Sequence, residues 1–102
     1  MEDVVQIRTD GTVQTVTINR PERRNALNES VAEGIISALD QAEADRRIRA
    51  IVLTGAGDKA FCAGGDLQLN ADGTPFTIAA EDPRHYIARL LRRMRDCRIP
   101  LI

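Results

Sequence analysis

The sequence predicts an α/β fold, and three observations carry that reading. Two runs rich in β-branched residues flank a turn signal, a segment with helical spacing follows them, and a short apolar run comes next. Residues 4–8 (VVQIR) and 12–18 (TVQTVTI), with Asp10-Gly11 between them, read as an antiparallel hairpin. Asn19-Arg20-Pro21-Glu22 ends the second strand, because proline cannot donate to a central ladder and restricts the residue before it. Asn28 is an expected N-cap, and Val31, Ile35, Leu39 and Ala42 follow at helical spacing, which predicts a helix over 29–44. Residues 50–54 (AIVLT) suit a strand covered on both faces. Turn formers without a period occupy 68–82 and predict a long loop. Asp82-Pro83 then supplies an N-cap and a first helical residue, and Ile87, Leu90, Leu91 and Met94 give an apolar stripe, which predicts a helix over 83–97. Ile99-Pro100-Leu101-Ile102 opens another apolar run and stops without a polar tail, so the sequence reads as a fold cut in its middle.

Composition narrows the function classes. The chain has 102 residues, 43% of them hydrophobic, and 14 basic against 15 acidic side chains. That describes a single soluble domain with no overall pull toward nucleic acid or anionic membrane. Two cysteines, Cys62 and Cys97, and one histidine, His85, lack metal-ligand spacing, so no metal is expected and both thiols read as reduced. No run approaches the ~18 apolar residues of a membrane span, and Met1-Glu2-Asp3 is acidic where a secretory signal would be basic. A cytoplasmic protein is the expectation.

Two stretches carry chemistry. GAGDKA (55–60) fits the loose G-x-G-x-x-A form of the dinucleotide fingerprint, but a turn follows where a helix should open and the expected acidic residue would have to be Glu81 or Asp82, which suit a helix cap, so that reading is set aside. FCAGGDL (61–67) is different. Four small residues, Cys62 to Gly65, let backbone N–H groups approach a ligand, and exposed amides beside a helix N-terminus favour a developing oxyanion. The same glycines could simply make a tight strand-to-helix turn. The other stretch is INRPERRNALN (18–28), where Arg20, Arg23 and Arg24 in a turn could meet phosphates or stay solvated.

VTINRPERRNALN followed by IRAIVLTGAGDKAFCAGGDL resembles the amino-terminal part of the crotonase superfamily, the enoyl-CoA hydratase and isomerase family. The resemblance spans residues 4–102 and implies a crotonase-like spiral of ββα turns. It also implies that the Gly65 amide is one of two oxyanion-hole donors for an acyl thioester carbonyl. Ala63, Gly64, Asp66 and Leu67 would line the thioester and pantetheine channel, and Arg24 and Ala26 would flank the adenine and phosphate end of coenzyme A. The second donor and the catalytic carboxylates would come from beyond Ile102. Coenzyme A enters as part of the substrate, and no separate cofactor is implied. Hydration of a 2-enoyl thioester in fatty acid metabolism is the default reaction, double-bond isomerisation or another acyl-coenzyme A reaction of the family is the alternative, and a homotrimer or hexamer is implied.

Other candidates have structural explanations. Glu81 and Asp82 suit helix capping, His85 suits a surface or capping role, and Phe76 suits either an acyl contact or an anchor for the long loop. Six arginines between 84 and 98 face only Asp96 within that segment. They predict a solvated helix face, with a non-catalytic partner-binding or RNA-binding module as the reading of another class. No aromatic residues interleave with them, so nucleic acid is not the expected partner.

Overall fold

The computed structural model describes residues 3–65 and 85–102. The long loop predicted over 68–82, Asp66, Leu67, Phe76, Glu81, Asp82 and Arg84 lie outside the described residues.

Strands β1 (Val5–Asp10) and β2 (Val13–Ile18) form the expected hairpin, and Gly11 at φ +61 supplies the left-handed residue of the turn. Their antiparallel register pairs Val5 with Ile18 and Asp10 with Val13. A 3₁₀ turn at Pro21–Arg23 breaks the chain out of β2. Helix α1 (Glu29–Ala44) starts where the sequence places it, with the Asn28 side chain accepting from the Val31 N–H at 2.9 Å. The chain returns as β3 (Ala50–Gly55), which pairs with β2 in parallel, giving the order β1-β2-β3. Parallel pairing requires a crossover, and α1 is that crossover.

The apolar face of α1, with Val31, Ala32, Ile35, Ala38, Leu39 and Ala42, packs with Val16, Ile18 and Ile51 of the sheet. Alternation along β2 explains the sheet's side of this contact, since Gln14, Val16 and Ile18 are buried and their neighbours only half-buried. Gln14 tolerates burial because its Nε2 donates to the Ala38 carbonyl at 3.0 Å. Beyond β3, residues 100–102 add to its free edge. The Ile51 N–H donates to the Pro100 carbonyl and the Leu53 N–H to the Ile102 carbonyl, both at 2.9 Å, with Ile51 and Leu101 paired in parallel.

Three expectations are corrected. Helix α2 is Tyr86–Arg95, with His85 as its N-cap through Nδ1, which accepts from the Ile87 N–H at 3.2 Å. The predicted start at Pro83 is therefore too early. Leu90 is buried against α1, but Leu91, expected in the same stripe, is 58% exposed. One residue rotates a helix by about 100°, so a single packing partner covers Leu90 and leaves Leu91 outside. Along β3 only Ile51 is fully buried, and Val52 and Thr54 are half-buried rather than covered on both faces. Among the described residues no helix is long and apolar enough to cross a membrane.

Arg92, Arg95 and Arg98 are exposed, as expected of a solvated face, but the arginines also find carboxylate partners that the sequence does not suggest. Arg89 pairs with Glu33, and Arg93 reaches Asp40 and Glu43 at 3.0 Å each. Arg98 reaches Glu43 at 3.3 Å, and Arg95 pairs with Asp96 at 3.0 Å. The polar edge of α1 supplies most of the countercharge, a match that sequence distance hides.

Candidate functional site

The parallel register of β2 and β3 ends with Ile18 opposite Gly55, so both strands finish at the same edge of the sheet. The segments that leave them, 19–28 and 56–65, therefore emerge side by side. In open α/β sheets this carboxyl edge is where ligands bind. The two stretches singled out in the sequence thus meet for a topological reason.

Backbone hydrogen bonds join them directly. The Ala63 N–H donates to the Arg24 carbonyl at 3.0 Å, and the Leu27 N–H donates to the Gly64 carbonyl at 2.7 Å. Leu27 and Gly65 form an isolated parallel bridge. Gly64 takes φ +99, a conformation that L side chains rarely adopt, although a Cβ there would meet nothing within 4 Å. Its glycine serves backbone conformation rather than space. Beside it, the Gly65 N–H finds no acceptor among the described residues. Gly65 is half-buried, as are Cys62 and Gly64, while Ala63 is exposed.

The facing turn is built from unusual backbone. Arg24 at φ 52 and Asn25 at φ 59 are consecutive left-handed residues, and neither is glycine. The Arg24 backbone N–H donates to the Pro21 carbonyl at 3.1 Å, and its exposed guanidinium meets no partner among the described residues. Ala26 is buried, and its carbonyl accepts from Arg20 Nη1 at 2.7 Å.

Two residues at this edge were not legible from sequence. Asn25 is 0% exposed and its amide is fully used. Its Oδ1 accepts from the Arg20 N–H at 2.9 Å, and its Nδ2 donates to the carbonyls of Ala56 at 2.9 Å and Ala60 at 2.8 Å. Tyr86, at the start of α2, donates its hydroxyl hydrogen to the Leu27 carbonyl at 3.3 Å and stacks on His85. The available signals were an asparagine where the turn must reverse and the chain's only tyrosine.

The dinucleotide reading stays set aside on structural grounds. No helix opens over residues 56–65, the described stretch that follows β3. The Gly55–Lys59 segment instead bends away, with the Ala56 N–H donating to the Ile18 carbonyl at 2.8 Å. Of the residues named for the site, Gly65, Gly64, Ala63, Arg24 and Ala26 fall in these two adjoining segments. Asp66 and Leu67 lie outside the described residues.

Comparison with known proteins points the same way. The sequence model of a family described as enoyl-CoA hydratase/isomerase matches residues 8–102. A protein of Mycobacterium tuberculosis named probable enoyl-CoA hydratase is 45% identical over 71 residues, 70% of this chain and 27% of that protein. A solved carnitinyl-CoA dehydratase from Mycobacterium avium is 52% identical, with TM-score 0.63 over 65% of this chain and 26% of that one. A solved enoyl-CoA hydratase/isomerase from Pseudoalteromonas atlantica superposes over 97% of this chain and 36% of its own, with TM-score 0.75 and 33% identity. The chain thus spans roughly a quarter to a third of the length of these relatives.

Proposed function

Because the chain belongs to the enoyl-CoA hydratase/isomerase family and its α/β architecture is part of the crotonase fold, we propose that it binds an acyl-coenzyme A thioester and contributes the Gly65 N–H to the oxyanion hole of an enoyl-CoA hydratase. The observation that carries this reading is the Gly65 amide, which no acceptor among the described residues takes, on a segment held open beside Arg24–Leu27. When water adds to the β-carbon of a 2-enoyl thioester, negative charge develops on the thioester oxygen. A preorganised N–H aimed at that oxygen stabilises the transition state more than the ground state, by about 3 kcal/mol for one donor.

The other site residues are those that the family resemblance implies. Ala63 and Gly64, with Asp66 and Leu67, would line the channel that admits the thioester and pantetheine. The exposed Arg24 guanidinium suits a phosphate of coenzyme A. The Ala26 carbonyl keeps a second lone pair beyond the one Arg20 uses, and an adenine amino group could donate to it. No proton transfer is assigned to a residue of this chain. Hydration is preferred to isomerisation because names and titles of similar proteins specify a hydratase or a dehydratase. The non-catalytic, RNA-binding reading loses its support once Arg89, Arg93 and Arg98 are engaged by carboxylates of α1.

The test is spectroscopic. A conjugated 2-enoyl thioester loses its absorbance when water adds across the double bond. The full-length protein is expected to remove that absorbance with a straight-chain 2-enoyl-coenzyme A. An unchanged spectrum, with the thioester still bound, would reject the hydratase assignment while leaving thioester binding in place.

A further inference from the structure

The Asn25 side chain ties three backbone groups of the candidate site together. It is fully buried and uncharged, and both of its amide hydrogens are used. The acceptors, the carbonyls of Ala56 and Ala60, bracket the bend between β3 and Phe61. The Asn25 N–H donates to the Arg20 carbonyl at 2.8 Å while Oδ1 accepts from the Arg20 N–H, which closes the turn on itself. The residue before it, Arg24, accepts from Ala63, and Leu27, two residues after it, donates to Gly64. These hydrogen bonds between the 20–27 turn and the 56–65 segment all lie within two residues of Asn25.

The fit around this amide is close. A Cβ on Gly55 would stand 2.6 Å from Asn25 Nδ2 and 2.2 Å from the Phe61 carbonyl oxygen, so the end of β3 admits Asn25 and the Phe61 backbone only because residue 55 has no side chain. The left-handed backbone of Asn25 aims the amide across the gap, and asparagine is the residue type that tolerates this conformation while offering both a donor and an acceptor.

We propose that Asn25 is a positioning residue for the thioester carbonyl: by fixing the 56–60 bend against the 20–27 turn it sets where the Gly65 N–H points. This inference rests on the proposed role of Gly65. A site donor must be held close to its productive geometry by supporting hydrogen bonds, and Asn25 supplies them at this edge.

The experiment uses the full-length protein and the red shift that an aryl-acryloyl-coenzyme A thioester undergoes when its carbonyl is polarised on binding. The wild-type protein is expected to shift the bound absorption band. Asn25→Gly keeps the left-handed backbone without strain and deletes the amide with its methylene. Its shift at saturating thioester is expected to fall by about half or more, in a protein that still unfolds cooperatively. An Asn25→Gly shift equal to the wild type overturns the positioning role, whereas a wild-type protein that binds without any shift overturns the Gly65 reading and this inference with it. Should Asn25→Gly not fold, Asn25→Asp decides the question. Its carboxyl keeps the acceptor for Arg20 and regains one donor on protonation, so the red shift is expected to grow as pH falls. A red shift that stays constant with pH overturns the proposal.

Discussion

Around Asn25, amides and carbonyls satisfy one another at 2.8 to 2.9 Å with no formal charge and no exposure of the asparagine. Between α1 and α2, Arg89, Arg93 and Arg98 instead reach carboxylates whose surroundings remain partly wet. The buried cluster is exacting: a lost partner leaves a carbonyl unsatisfied, at about 1–3 kcal/mol, and the geometry tolerates little displacement. The charged interface is more forgiving at its outer pairs, such as Arg89 with Glu33, which salt screens, although Arg93 and Glu43 at its centre are only 21% and 13% exposed. The region proposed to meet the thioester is built in the first way, and the region that only fastens two helices is built in the second. Placing a reactive carbonyl needs fixed donors, whereas holding a helix down needs only net attraction.

The sharpest way to break this comparison is Gly55→Ala. Its methyl group would lie 2.2 Å from the Phe61 carbonyl oxygen, where backbone rather than a flexible side chain must yield. Chemical denaturation is expected to show a loss of about 3 kcal/mol or more. A midpoint like that of the wild type would mean that the bend is not packed against β3, and the exacting character of this edge would be lost.

Acid should separate the two regions next. Arg93, and then the Arg98 N–H, hold Glu43 at about 2, well below its ordinary 4.5. The folded state therefore binds this proton less readily than the unfolded one. Its contribution is full above about 4.5 and is lost as pH falls toward 2. Thermal midpoints of the wild type are expected to decline through that window, and those of Glu43→Gln to decline less steeply. Parallel curves for the two proteins would remove Glu43 from the interface. Added salt is expected to lower the wild-type midpoint more than that of Glu43→Gln, because the substitution removes the Arg93 and Arg98 ion pairs that salt screens.

The smallest effect belongs to Arg95, which is 69% exposed and paired only with the adjacent Asp96 among the described carboxylates. Arg95→Ala is expected to leave the denaturation midpoint unchanged within error. A clear drop would show that even the outermost pair contributes, and would narrow the contrast drawn above.

What the sequence made legible follows the range of each interaction. Helix α1 was readable to both ends because its cap spans three residues and its buried face repeats at helical spacing. The hairpin was readable because Asp10-Gly11 is a local signal. Leu91 was misplaced because periodicity marks an apolar arc without saying how much of it one neighbour covers. The partners of Asn25 lie 5, 31 and 35 residues away, and those of Arg93 lie 50 and 53 away, so neither cluster leaves a trace in local pattern. Gly65 and Arg24 were singled out through residue type and family resemblance. Their adjacency became evident only when β2 and β3 were seen to end together.

The central claim is that the Gly65 N–H, which meets no acceptor among the described residues, is there to meet a thioester oxygen. It is tested most directly by following the Gly65 amide proton by nuclear magnetic resonance in the full-length protein as an acyl-coenzyme A is added, with free coenzyme A as the control. The account predicts a downfield shift with the thioester that free coenzyme A does not reproduce. A Gly65 signal that stays in place while other amides report saturation would contradict it.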